Sequence, residues 1–199
     1  LAALARSILV TGSNHGIGLE LVRQLAASPW PPQHIFATCR DPDGPRGKVS
    51  GADTVNFPST HGAMQAVRSH LKDQGLNLLI SNAGVSSHAG LCCLDSQEML
   101  SMFATNAVGP LQVAKVMLAQ HCLFQAAQNM VTRCLAAELQ NKGILCIAIH
   151  PGWVKTDMGT EKAPLTVEHS VQGILTMLAS LSQDTTGAFL DWEGNSLPW

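Results

Sequence analysis

The sequence predicts an α/β fold, a doubly wound parallel sheet with helices on its faces. Short apolar runs alternate with stretches whose apolar residues recur at helical spacing. Glycines join the first apolar run to the first helical stretch. The repeated strand–helix order is the pattern of a parallel sheet crossed by helices. With 199 residues, 46% of them hydrophobic, the chain is long enough to form one such domain over residues 1–199 with a real core.

Ile8-Leu9-Val10 is the first strand, and Ile17, Leu21, Val22 and Leu25 line one face of the first helix. Between them stand Gly12, Ser13, Asn14, His15, Gly16, Ile17 and Gly18. Glycines let the backbone turn sharply and approach a ligand with no Cβ in the way. The first N–H groups of the helix lack internal partners and, with the helix dipole, favour an anion such as a pyrophosphate. Strand, glycine turn and helix together point to a dinucleotide site, whereas a glycine turn alone does not.

Ser28-Pro29-Trp30-Pro31-Pro32 ends the helix, and Ile35 to Cys39 forms the second strand. Arg40 follows it. An acidic residue near that point takes the ribose hydroxyls of NAD, while an arginine accommodates the 2′-phosphate of NADP through forked, charge-assisted bonds. Arg40 therefore selects NADP. Asp41 to Gly51 reads as a cramped loop, and Thr54 to Phe57 as a third strand. Ala63, Ala66, Val67 and Leu71 mark a helix ending near Gly75. Leu76 to Ile80 is a buried fourth strand leading into Ser81-Asn82-Ala83-Gly84.

Charged residues are 13% of the chain and the net charge is −2, which gives no nucleic-acid footprint. No apolar run approaches the roughly 20 residues of a membrane span. The chain runs straight into its first strand, leaving no room for a cleaved signal peptide, and it opens on Leu1 instead of Met. The six cysteines lack Cys-x-x-Cys spacing and read as reduced thiols of a cytoplasmic protein. The scattered histidines lack metal-ligand spacing.

These motifs resemble the short-chain dehydrogenase/reductase family. Thr11-Gly12-x-x-x-Gly16-Ile17-Gly18 is similar to its cofactor turn and Asn82-Ala83-Gly84 to its Asn-Ala-Gly motif. Thr105 to Gly109, centred on Asn106, resembles its helix-four asparagine motif. Pro151, Gly152 and Thr156 match its nicotinamide loop. Leu190-Asp191-Trp192 and the terminal Leu197-Pro198-Trp199 resemble the branch of C-factor-like and sniffer-type carbonyl reductases. The resemblance implies a Rossmann-like sheet, NADP(H) as cofactor, and reduction of a small-molecule carbonyl by hydride transfer.

The family's acid is a tyrosine tuned by a lysine four residues later, beside a serine. This chain has no tyrosine, and His121 and Gln125 fall where the tyrosine and lysine are expected. No serine lies between Ser101 and Ser170, so Asn106 alone remains of the catalytic set. His121 has an imidazole that can act as an acid, but Gln125 carries no charge to tune it. Cys92 and Cys93 fall in a loop that borders the family's substrate, and they read as loop packing. Where the family's third strand ends on an aspartate, Asn56-Phe57-Pro58 stands here.

Ser96 to Gln140 reads as helix throughout, broken weakly at Gly109-Pro110, so the fifth, central strand is expected to be missing. Its neighbours would then expose unpaired edges unless the sheet closes or a partner fills the gap, and stability would be marginal. Ile144 to Ile149 and Ala188 to Trp192 supply the remaining strands. Two readings of function follow. One is an NADP-dependent carbonyl reductase with weak or lost activity, a pseudoenzyme by its residues. The other is a non-catalytic nucleotide-binding or dimerisation module, pairing with itself or a relative through the 97–140 helical region, or a shortened splice form without stable activity.

Overall fold

The computed structural model describes residues 4–41, 50–51, 53–87, 95–117, 122–124 and 127–199. β1 (Ser7–Thr11), wholly buried, leads through the glycine turn into α1 (Gly16–Ala27). β2 (His34–Cys39) and the two-residue β3 (Ser50–Gly51) come next. α2 (Phe57–Leu71) follows, with Asn56 Oδ1 accepting from Ser59 N at 3.1 Å as its N-cap and Pro58 in its first turn. A 3-10 turn (Lys72–Gln74) and Gly75 at φ +66 end it, and β4 (Leu78–Ile80) enters the core.

α3 (Ser96–Phe103), a π-turn (Ala104–Val108) and α4 (Gly109–Met117) run on as one rod. β5 (Cys122–Phe124), α5 (Ala127–Leu139), β6 (Cys146–His150), α6 (Val167–Leu178) and β7 (Phe189–Asp191) complete the order.

The seven strands form one parallel sheet in the order β3-β2-β1-β4-β5-β6-β7. Side chains alternate across each strand. Leu9, Leu79 and Cys146 pack with Met64, Val113 and Leu135 under α2, α4 and α5. Ile8, Val10, Leu78, Ile80 and Ile147 pack with Leu21, Leu25, Val171 and Ile174 under α1 and α6. The two layers are the doubly wound arrangement read from the sequence.

Three expectations are corrected. The central strand is present: Cys122 pairs with Leu79 and Cys146, and Leu123 with Ile80 and Ile147. The sheet therefore has no central gap, and the unpaired-edge argument for marginal stability no longer applies. The stretch from 96 to 140 is not continuous helix. A three-residue strand flanked by helices has no period of its own, and a short apolar run cannot be told from a helix segment by periodicity. The third strand also lies earlier than Thr54–Phe57. Thr54 and Val55 form a turn, Phe57 opens α2, and Asp53 stands two residues past β3. Among the described residues, no helix is long and apolar enough to cross a membrane.

Asp191 closes β7. Its carboxylate accepts from Asn195 N at 2.8 Å, Glu193 N at 2.9 Å and Asn195 Nδ2 at 3.0 Å. Partial burial pushes its pKa up, but these donors outweigh burial and hold the carboxyl below its ordinary value. The folded state thus binds this proton less tightly than the unfolded chain. The stabilisation is complete above the unfolded pKa and is lost as pH falls through the folded one. In urea unfolding between about pH 5 and pH 2, wild type is expected to lose an increment that Asp191→Asn lacks at every pH. Parallel pH profiles would contradict this.

Candidate functional site

The strand order reverses at β1, whose neighbours β2 and β4 run outward in opposite sequence directions. Ligands of such sheets bind beyond the carboxyl ends of the strands at that reversal. The ends there are Thr11–Gly12 and Ser81–Asn82. They are stitched together: Thr11 Oγ1 accepts from Asn82 N and Ala83 N, both at 3.1 Å. Asn82 Nδ2 donates to Thr11 O at 3.1 Å and Gly12 O at 3.0 Å. An aspartate in its place would turn a carboxylate onto those two carbonyls. Asn82→Asp is expected to lower stability by about 1–3 kcal/mol, read as a lower urea midpoint, and an unchanged midpoint would refute the bridge.

The glycines are required by contact. Gly12 adopts φ +64, and a Cβ there would stand 2.7 Å from Ala83 Cα. A Cβ on Gly18 would overlap Gly12 O and Asn82 Nδ2. Ser13, fully enclosed, donates from both N and Oγ to Thr38 O at 3.1 Å, which docks the turn onto the end of β2. His15 is the N-cap of α1 in extended conformation, exposed, with no side-chain cap, and the first turn holds no acidic residue. Its free N–H groups and dipole therefore face the crevice without a competing carboxylate. Asn14 stands between, half-buried.

Arg40 is exposed one residue past β2. Cys39, beside it, is buried, and burial pushes its thiol up, assisted by the charge of Asp41 and opposed by that residue's backbone N–H. It stays a neutral packing group.

Asn106 lies in the π-turn. Its Oδ1 accepts from Val85 N at 2.9 Å and its Nδ2 donates to Val85 O at 2.8 Å. A Cβ on Gly84 would stand 3.4 Å from Asn106 Oδ1. The asparagine amide is thus committed to holding the Asn82–Val85 loop. Gly109, at the end of the π-turn, lies against Thr54, where a Cβ would be 2.9 Å from Oγ1.

The Pro151-Gly152 loop follows β6. Ser170 Oγ donates to Pro151 O at 2.7 Å, and Gly152 N donates to His150 Nδ1 at 3.0 Å. Thr156 Oγ1 accepts from Gly159 N at 3.0 Å, and its Cγ2 is 3.6 Å from where a Cβ on Gly16 would stand. The structure therefore brings the glycine turn, Asn82–Gly84, Asn106 and the 151–156 loop together at one end of the sheet. His121, Gln125, Cys92 and Cys93 lie outside the described residues.

Sequence spacing missed several contributors. Thr38 serves through its carbonyl, which any residue supplies. Asp53, just ahead of the expected third strand, caps the turn before α2 through Oδ1, which accepts from Val55 N at 3.1 Å. Ser170 and Trp192 reach the Pro-Gly loop from distant elements.

The short chain dehydrogenase family model matches residues 6–122. The C-signal of Myxococcus xanthus is 31% identical over 169 residues, spanning 68% of this chain and 100% of that protein. An NADPH-bound carbonyl reductase from chicken fatty liver superposes with TM-score 0.92 at 34% identity, covering 98% of this chain and 99% of that one. The carbonyl reductase Sniffer of Drosophila melanogaster gives TM-score 0.90 at 30% identity, covering 98% and 100%. The crevice at the sheet's reversal and a family match over most of the chain lead to one assignment: this protein is a member of the short-chain dehydrogenase family.

Proposed function

We propose that the chain, acting as one unit over residues 1–199, binds NADP(H) in the crevice between β1 and β4. The observation that carries this is the uncapped N-terminus of α1 at the sheet's reversal, set there by a turn so closely packed that Cβ atoms at Gly12 and Gly18 would strike Ala83, Gly12 O and Asn82 Nδ2. The residues fit the group. Gly12, Ser13, Asn14, His15, Gly16, Ile17 and Gly18 form the pyrophosphate cradle, and Arg40 offers its guanidinium to the 2′-phosphate. Asn82, Ala83 and Gly84 wall the crevice, Asp53 stands at its β3 side, and Pro151, Gly152 and Thr156 close over the nicotinamide end. Asn106 acts here as a positioning residue, because its amide bonds both Val85 N and Val85 O.

When bound, NADPH supplies a hydride to a carbonyl carbon. The carbonyl oxygen then needs a proton from the chain. No tyrosine exists to give it, so the carbonyl-reductase activity of the similar proteins is expected to be weak or lost. NADPH at about 100 times its Kd should stabilise the fold by about 2.7 kcal/mol, a rise in Tm of several degrees, while NADH at that concentration does less. No shift with either would contradict the site.

A second reading is favoured by an apolar row. Met99, Leu100 and Phe103 of α3 are each more than half exposed, as is Met130 of α5. Such a row on one helix suits pairing with itself or a related chain through the 97–140 region. Sedentary monomer behaviour in analytical ultracentrifugation, together with failure to capture a related full-length reductase, would remove this reading.

A further inference from the structure

Trp192 stands one residue past β7, outside every motif of the glycine crevice, yet its indole is wedged between two glycines. A Cβ at Gly152 would stand 3.1 Å from Trp192 Cδ1 and 3.3 Å from its Nε1, with Leu165 Cδ2 at 2.8 Å on the same side. Gly152 adopts φ +86, a conformation other residues enter with strain. On α6, a Cβ at Gly173 would overlap Trp192 Cε3 and stand 2.6 Å from the Trp192 carbonyl oxygen. The His169 ring meets the indole edge-to-face at 5.0 Å. The ring therefore fills a slot shaped for it by the absence of two side chains, one on the Pro-Gly loop and one on α6.

The loop has a second tie, the 2.7 Å bond from enclosed Ser170 Oγ to Pro151 O. Further along, Lys155 N donates to Leu165 O at 2.9 Å, and Thr156 reaches Gly16. A continuous set of contacts thus runs from Gly152 through Leu165 and Lys155 to Thr156 beside Gly16.

We propose that Trp192 is a positioning residue: by packing on Gly152 it holds the 151–156 loop in the conformation that closes over the nicotinamide half of NADP(H). It touches neither the adenosine half nor the glycine turn. The proposal rests on the cofactor reading above.

The test is a pair of calorimetric titrations on the full chain, with NADPH and with 2′,5′-ADP, which carries only the adenosine half. If Trp192→Ala leaves the loop competent about a tenth of the time, apparent Kd for NADPH rises about tenfold. Kd for 2′,5′-ADP stays within about twofold, since that ligand does not meet the loop, and Trp192→Phe, which keeps a ring in the slot, restores most of the NADPH affinity. A merely structural role would weaken both ligands together, and that result overturns the proposal, as does an unshifted NADPH Kd. Should Trp192→Ala yield no folded protein, Ser170→Ala is read in the same two titrations and must show the same selective loss. If wild type binds neither ligand, the cofactor reading falls and this inference with it. If wild type binds both and the variants do not discriminate, this inference alone falls.

Discussion

Gly18→Ala is expected to weaken NADPH binding by about 10- to 100-fold. The added methyl group would overlap Gly12 O and Asn82 Nδ2. Both belong to the bridge that holds the ends of β1 and β4 together. Neither is a flexible tip: one is a backbone carbonyl, the other an amide already bonded to two carbonyls. Relief requires α1 to draw back from the turn or the Asn82 loop to open. Overpacking of this kind costs about 1–3 kcal/mol, and each 1.4 kcal/mol is about tenfold in affinity. The variant should still unfold cooperatively, since the two core layers do not depend on this contact. Fluorescence titration with NADPH against wild type measures the effect. An unchanged Kd would mean that the pyrophosphate does not lie against the glycine turn.

The second large effect is on turnover. Hydride addition to a carbonyl leaves an alkoxide that must be protonated as it forms. A positioned acid contributes about 10²–10⁴-fold to such steps. The chain lacks tyrosine entirely, and the Asn106 amide is bonded to Val85 N and O. With NADPH saturating, kcat/KM for carbonyl reduction should therefore fall about 10²–10⁴-fold below that of a reductase possessing the acid. Absorbance of NADPH during incubation with aromatic and aliphatic aldehydes and ketones reads this directly, with the similar chicken carbonyl reductase as reference. Comparable turnover would show that another group donates the proton. A rate falling as pH rises through about 6.5 would identify that group as an imidazole.

The doubly wound sheet was legible because its signals are local. Ile8–Val10 followed by a glycine turn and a 3.6-residue period cannot read as much else, and Leu78–Ile80 lies between a helix-ending Gly75 and the Asn82 loop. The reversal of strand order then brings those two loops together, so the cradle and Asn82–Gly84 were legible as one site. β5 was not. Cys122-Leu123-Phe124 is apolar and three residues long, and its identity comes from pairing with β4 and β6 rather than from any pattern of its own. β3 failed for a related reason: two residues with one pairing partner leave no period, so Thr54–Phe57 looked the better strand and Asp53 was overlooked. The contacts of Asn106 were not legible. Its motif was visible, but only the geometry of the π-turn shows that its amide holds Val85. Trp192 was visible only as part of a resemblance, because the slot between Gly152 and Gly173 joins residues from three distant elements.

The proposed NADP(H) crevice stands in a chain that holds no tyrosine. Titration of wild-type protein with NADPH, followed by the change in nicotinamide fluorescence and repeated with NADH, tests it most directly. Saturable binding at one site, at least about tenfold tighter for NADPH than for NADH, is the predicted result, since Arg40 gives the 2′-phosphate a charge-assisted partner. No saturable binding by folded protein would contradict the crevice, and equal affinity for the two would contradict the role of Arg40.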